Sequence, residues 1–568
     1  MDRTFAYRIG FLGEPASSIP FQYISPVEWS IDNIARLKAL GFNTIQIHVA
    51  WGPRPGDEPL NLEDIVELTS ELQARYPQPV PLRCDPSPER RAARRQAMHD
   101  RIGLCRKAGL RTLFHFGAPF NAHVTYGDNP PNCIMDDKVI VRYELLLETF
   151  AREFPGVDDI LVYTYDQDAW LCNEFGECPR CRGVPLHARL VPFLERLAGA
   201  WQRLNPGGRM WWEPWELSAG QVLMCVEHVN PSGFGLMVHS NIAEVMSTLP
   251  VDRWLKNTAA LAQERGIPVV VEYFLGAGSE ELEPFVHLAH PLVILRALRA
   301  IAAVPGVVGI KEYYGLAPDR EDPNLRAASL FFADPKISDE QALQTLAEKY
   351  EKAAGGMVDF WRLASAGMEL FPWDLSWFMR EIGRSRPDHS LSAAMLRGQQ
   401  CHTPSWFSTR HAIFMKTDDA QPDPWMLEDV QLRCQMAADR WGQALELGRL
   451  LEPSLPASPR KDFRDNLADL AGLRRRALAY ACHLRETNLA GILRRLEEGG
   501  QPFPSRIVEE LGEVLTADQD NCRSEGPEWS EIQQAIELFQ QDPRRFLKLY
   551  FLEELDRQSK GVFSVTSR

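Results

Sequence analysis

Residues 158–187 read DDILVYTYDQDAWLCNEFGECPRCRGVPLH. An apolar run, Ile160, Leu161, Val162 and Tyr163, leads into two carboxylates, Asp166 and Asp168, and then into Cys172, Cys178 and Cys181. The run is short and continuously apolar, as a strand buried on both faces must be. Before it, residues 139–154 carry helical spacing closed by Pro155-Gly156. After it, residues 186–204 do the same and end at Asn205-Pro206-Gly207-Gly208. A buried strand between two helices belongs to a chain of β-α-β units.

Outward from this stretch the pattern repeats. Residues 7–12 (YRIGFL) form a strand closed by Gly13-Glu14-Pro15; Ser30 then caps a helix over 31–40, with Gly41 at its C-terminal end, and residues 43–49 (NTIQIHV) form the next strand. Helix 94–107 precedes strand 110–116, strand 209–212 runs into Glu213-Pro214-Trp215-Glu216, and helix 219–228 precedes strand 235–239. Helix 251–265 precedes strand 267–273, and helix 290–303 precedes strand 307–313. Eight strands alternating with helices predict an α/β fold, a (β/α)8 TIM barrel over residues 1–325. An open doubly wound sheet shares the alternation, but no glycine-rich phosphate loop opens the first helix. From Ser338 onward the spacing is helical and the strands stop, which predicts a C-terminal all-α domain over 326–568 that packs on the barrel or serves self-association.

The 568 residues, 45% of them hydrophobic, suffice for two cores. A formal net charge of −15 argues against nucleic acid or an anionic membrane as partner. The basic run at 89–95 (ERRAARR) reads as a solvated helix face. The N-terminal residues lack the pattern of a signal peptide, and no run approaches the roughly 20 apolar residues of a membrane span, so the expectation is a soluble cytoplasmic protein. Eleven cysteines, most scattered singly, do not resemble a secreted disulfide framework.

In a barrel of this type the active site lies at the C-terminal ends of the strands. The residues there are Glu14, Trp51, His115 with Asn121 and His123 beyond it, Asp166 and Asp168, Glu213 and Glu216, His239, Glu272 with Tyr273, and Glu312 with Tyr313 and Tyr314. Carboxylates among aromatic faces suit a carbohydrate: sugar C–H faces lie on aromatic rings, hydroxyls bond to acids and histidines, and glycosidic cleavage needs one protonated and one ionised carboxyl. The catalytic candidates are Asp166, Asp168, Glu272, Glu213 and Glu312, with an acid from Asp166 or Asp168 facing Glu272 as base or nucleophile. The substrate-binding candidates are Trp51, His115, His123, Trp170, Trp212, Trp215, His239, Tyr273 and Tyr313. Two other readings stand beside this one: a metal-dependent sugar isomerase or hydrolase using His48, His115 and His239 with Glu213 and Glu272, and a non-catalytic carbohydrate-binding protein.

Cys172, Cys178 and Cys181 form C-x5-C-x2-C, whose second half matches a zinc knuckle. The fourth ligand is Cys133, in the loop after strand three, or else His187. A structural zinc is the expected cofactor, and no organic cofactor is expected; three buried thiols would be the plain alternative.

The segment 162–186 (VYTYDQDAWLCNEFGECPRCRGVPL) resembles the strand-four region of (β/α)8 glycoside hydrolases related to families 20 and 67, and residues 323–350 are similar to the segment that succeeds the barrel in those enzymes. The adjacent Asp-Glu pair of family 20 is replaced by Asp166-Gln167-Asp168. Asn173-Glu174 with the downstream C-x2-C resembles family 42 β-galactosidases, where an Asn-Glu supplies the acid and cysteines bind zinc. The resemblance implies a glycosidase on a TIM barrel; the missing signal-peptide pattern adds the expectation of exo action on short oligosaccharides or glycosides taken into the cell.

Overall fold

The structure, a computed structural model, describes residues 5–15, 24–25, 27–48, 58–82, 84–121, 130–164, 170–215, 217–241, 247–279, 282, 285–373, 424–522 and 527–548. Eight parallel strands close into a barrel: β1 (Tyr7–Gly10), β2 (Thr44–Gln46), β3 (Arg111–Gly117), β4 (Asp159–Tyr163), β5 (Met210–Glu213), β6 (Phe234–His239), β7 (Val269–Tyr273) and β8 (Val307–Glu312). Each strand pairs with its neighbours in chain order, and β8 returns to β1. A two-stranded antiparallel ribbon, Glu14–Pro15 with Ile24–Ser25, comes after β1.

Side chains alternate across each strand, so every strand has one face toward the barrel axis and one toward the helices. Ile9, Leu113, Leu161, Trp211, Met237 and Val270 fill the interior as one packed layer. The large Trp211 ring fits because Gly235 stands beside it: a Cβ there would sit 2.4 Å from the ring. On the other face, Phe114 meets Phe150 of the helix layer, ring centroids 4.2 Å apart.

The helices between the strands are α1 (Ile31–Ala39), α2 (Pro88–Ala108), α3 (Asp137–Glu153), α4 (Leu186–Leu204), α5 (Ala219–His228), α6 (Arg253–Glu264) and α7 (Pro291–Ala302), and α8 (Pro323–Ala333) comes after β8. Ser30 caps α1 by accepting from the Asn33 N–H, and Gly41, at φ 98°, ends it in a conformation that penalises a Cβ. Helix α2 begins at Pro88 and not at Arg94, because Ser87 caps it and a proline at the first position has no N–H to lose. The basic run at its start is not wholly solvated: Arg94 is buried and donates to the carbonyls of Asp64 and Asp85. Burying apolar side chains is worth about 1.5–3 kcal/mol each, and α4 contributes Leu190, Phe193, Leu194, Leu197 and Trp201 to the layer around the strands.

The chain divides into two compact units, Met1–Ser279 with Ile294–Ala342, and Glu280–Val293 with Leu343–Arg568. The first holds the barrel. The second is helical, built from α9 (Ala354–Leu370), α10 (Pro424–Leu451), α11 (Ala457–Glu498), α12 (Ser505–Asp520) and α13 (Pro527–Gln541). Gly367 lets the Trp441 indole lie against α9, where its N–H reaches the Ala364 carbonyl at 3.2 Å. A second core in this unit gathers Leu489, Leu493, Leu511, Leu515, Ile532 and Phe539. Residues 285–290 join it through Asp469, which accepts from the His287 N–H. Among the described residues no helix is long and apolar enough to cross a membrane.

Candidate active site

The interior layer fixes which strand-end residues point inward. Two residues beyond Leu113, Leu161, Trp211, Met237 and Val270 stand His115, Tyr163, Glu213, His239 and Glu272, so each is the next inward side chain on its strand. Lys311 joins them, since it pairs in register with Glu272. Their contacts bear this out. His115 Nε2 lies 3.3 Å from Glu213 Oε2, His239 Nε2 lies 3.2 Å from Glu272 Oε2, and Lys311 Nζ donates to Glu272 Oε1 at 2.6 Å. The His115 ring meets Tyr163 edge-on at 5.3 Å.

All of these charged groups are buried: Glu213 is 2% exposed, Glu272 0% and Lys311 1%. A buried charge costs several kcal/mol unless it is paired, which makes the Lys311–Glu272 contact a requirement of the arrangement. Burial by itself pushes the Glu272 carboxyl up. Lys311 and His239 outweigh it and hold that carboxyl down at about 2, so Glu272 is a carboxylate at any ordinary pH. Burial alone would lower Lys311, and the surrounding carboxylates, Glu272 first, raise it instead. One lysine thus faces two carboxylates.

Aromatic rings form one wall above this layer. Trp215 stacks on Tyr313, with centroids 5.3 Å apart and planes 11° from parallel. His239 meets both rings edge-on, at 4.4 and 5.5 Å. Trp170 is half-buried, and its carbonyl is held by Asn121, which also pairs with Asn132 on the preceding loop. Trp51, His123, Asp166, Asp168 and Glu216 lie outside the described residues.

Three strand-end candidates point elsewhere. Trp212 comes directly after the inward Trp211 and therefore faces the helix layer, where its N–H donates to Thr164 Oγ1 at 2.9 Å and its ring meets Phe234. Tyr273 succeeds the inward Glu272 in the same way; its hydroxyl donates to the Ser247 carbonyl at 2.5 Å. Glu312 succeeds the inward Lys311 and accepts backbone N–H bonds from Leu275, Tyr314 and Gly315 at 2.8, 2.7 and 3.0 Å. Burial pushes its carboxyl up to about 8 against the pull of the Leu275 and Gly315 N–H groups. Both oxygens take part in tying the loops after β7 and β8 together. His48 packs on Phe114, the outward residue of β3, at 4.4 Å, away from the inward cluster. Lys311 was not among the sequence candidates, and its signal was a lysine inside an otherwise apolar strand.

The loops after β3 and β4 meet at the cysteines. Cys133, Cys172, Cys178 and Cys181 are all buried, with sulfurs within 4.8 Å of one another. Cys133 Sγ lies 3.3 Å from Cys181 Sγ and 3.8 Å from Cys178 Sγ. A tetrahedral zinc with Zn–S bonds of about 2.3 Å separates its sulfurs by about 3.8 Å, so the four thiols fit that ion. Cys133, and not His187, completes the set: the His187 ring lies against His228 at 4.8 Å. Four thiolates leave no open position, so a metal there would shape the loop after β4.

Glu213, His239 and Glu272 also bring one ligand atom each within 4.8 Å of one another, a geometry that can hold a cation. The Lys311 ammonium already stands on Glu272 at 2.6 Å, in a cation's place.

No protein-family model matches the chain, and no curated protein matches its sequence. Among solved structures, the chain is similar to a GH138 enzyme targeting pectin rhamnogalacturonan II, with a TM-score of 0.59 and 12% identity over 91% of this chain. It spans 61% of that enzyme's chain. An O-GlcNAc hydrolase of Thermobaculum terrenum, solved as a mutant, matches at a TM-score of 0.41 and 11% identity, covering 98% of this chain and 97% of that one. The first of these likenesses supports the barrel with its helical region as the fold.

Proposed function

We propose that the protein is a glycoside hydrolase whose chemistry is carried by Glu272 on β7. The observation behind this reading is a carboxylate kept ionised by a buried lysine, 2.6 Å away, under a wall of stacked Trp215 and Tyr313. An ionised carboxylate beside the anomeric carbon serves as nucleophile or base, and stabilises the positive charge that develops there. The proton for the departing oxygen comes from Asp168 or Asp166, which succeed β4 in the sequence, with Glu213 as the alternative donor. His115 and His239 orient Glu213 and Glu272 and offer hydrogen bonds to sugar hydroxyls, while Trp215 and Tyr313 take an apolar sugar face. The fold it shares with a pectin-directed GH138 enzyme agrees with this class. The four cysteines hold a structural zinc that fixes the loop bearing Trp170. Short oligosaccharides or simple glycosides, attacked from one end, are the proposed substrates.

A panel of nitrophenyl glycosides, with uronides included, tests the reading. Glu272→Gln and Asp168→Asn each lower kcat/KM on the best substrate by about three orders of magnitude or more, with circular dichroism unchanged. Near-native rates in both variants, or no hydrolysis of any panel member, would sink it. The three-residue cation geometry keeps a metal-dependent reading alive. Activity abolished by a chelator and restored by a divalent ion would favour that reading over a carboxylate mechanism.

A further inference from the structure

A polar cavity lies beside the connection that follows β2. It measures about 310 Å³ and lies between the connection from β2 to α2, which supplies Glu63 and Gln78, and the helices that supply Arg91 (α2) and Arg142 (α3). That volume equals about ten waters, and it sits at the lower end of cavities that take small molecules.

Four side chains on its lining each leave one buried polar atom without a hydrogen bond: Glu63 Oε1, Gln78 Nε2, Arg91 Nε and Arg142 Nε. Buried polar atoms are nearly always paired; Arg142 Nε and Glu63 Oε1 face each other at 3.7 Å, beyond hydrogen-bond reach, and Arg91 Nε and Gln78 Nε2 are left for whatever fills the void. Glu63 is 3% exposed and Arg142 6%, so both of these lining side chains are buried. The rest of each group is firmly held. Arg142 donates to the Tyr76 carbonyl and to Gln78 Oε1, both neutral, and its nearest carboxylate oxygen is Glu63 Oε1 at 3.7 Å. Arg91 is paired with Glu67 at 2.6 Å. Tyr143 places its hydroxyl 3.3 Å from Glu63 Oε2 and from the Ala118 carbonyl, which fixes the carboxyl from behind. Three of the four unsatisfied atoms are N–H donors and one is a carboxyl oxygen. The remaining wall, with Val66, Leu68, Leu82 and Leu146, is apolar.

We propose that this cavity is a binding site for a small hydroxylated carboxylate, of the size and chemistry of a monosaccharide acid. Its carboxylate accepts from the Arg142 and Arg91 N–H groups. A hydroxyl donates to Glu63 Oε1 and another accepts from Gln78, while the carbon skeleton rests on the leucines. The inference stands on this cavity alone and does not depend on the chemistry assigned to Glu272.

Calorimetric titration of the full chain with sodium D-glucuronate, and with D-glucose as the neutral control, reads the site directly. The expected result is binding of one D-glucuronate per chain, weakened about tenfold or more in Gln78→Leu and in Arg142→Gln, and unchanged in Glu272→Gln. Gln78→Leu removes the donor and fills the space without breaking the Arg142 contact to Tyr76, so it remains informative if Arg142→Gln does not fold. Three results would overturn the proposal: no binding of D-glucuronate, D-gluconate or D-glycerate at about 50 mM, D-glucose binding as tightly as D-glucuronate, or an affinity that falls only in Glu272→Gln. The first leaves a water-filled void; the last places the ligand at Glu272 instead.

Discussion

Replacing Lys311 by methionine takes the cation away from Glu272 while keeping most of the side-chain volume. In the native protein Glu272 titrates at about 2 against an ordinary 4.5, although burial on its own drives it upward. Loss of Lys311 leaves that burial opposed only by His239, so the carboxyl moves up. Breaking a buried ion pair by removing one partner costs about 3–5 kcal/mol. For a unit of this size, about 3 kcal/mol lowers Tm by about 4 °C, taking about 2.1 cal/mol/K of unfolding entropy per residue. The depressed value sets the sign with pH. The native stabilisation is complete above the unfolded carboxyl's 4.5 and fades as pH falls toward 2, so the deficit of Lys311→Met is largest at neutral pH and shrinks in acid. Two assays read the consequence. In a pH profile of kcat/KM on an aryl glycoside, the acidic limb moves to higher pH. In thermal unfolding, the double variant Lys311→Met with Glu272→Gln recovers much of what either single variant loses, because neither charge is left unpaired. An acidic limb that stays in place, together with strictly additive losses of Tm, would refute the pairing as the device that keeps Glu272 ionised.

Two further outcomes test the assignments around it. Glu312→Gln replaces an acceptor of three backbone N–H bonds by an amide that must turn its own N–H toward a donor; it should lower stability by about 1–3 kcal/mol and leave kcat/KM within about threefold, whereas a loss of several orders of magnitude at full folding would restore Glu312 to the chemistry. The purified protein should carry one zinc per chain, which Cys178→Ser reduces together with Tm, and unchanged zinc content in that variant would remove the four-cysteine site.

Strand order and helix alternation were legible because they are written in local signals: short apolar runs, a serine cap before α1, and a glycine, at φ 98°, after it. The cysteine spacing was legible too, since a C-x2-C turn is a local geometry, while its partner Cys133 needed two loops to meet. Glu213 and Glu272 were named from position alone, and both side chains face the barrel interior. Trp212, Tyr273 and Glu312 had the same positional claim and, one residue on, face the other way.

The sequence by itself determined the barrel and the kinds of side chain at its strand ends. Which of two adjacent strand-end residues points into the barrel was decided only by the tertiary structure. The reason is physical: a strand buried on both faces is apolar on both, so the polar/apolar alternation that would reveal its phase is absent until the strands close around Trp211 and its layer. The same closure brought Lys311 onto Glu272, a pairing between β7 and β8 that no spacing along the chain encodes.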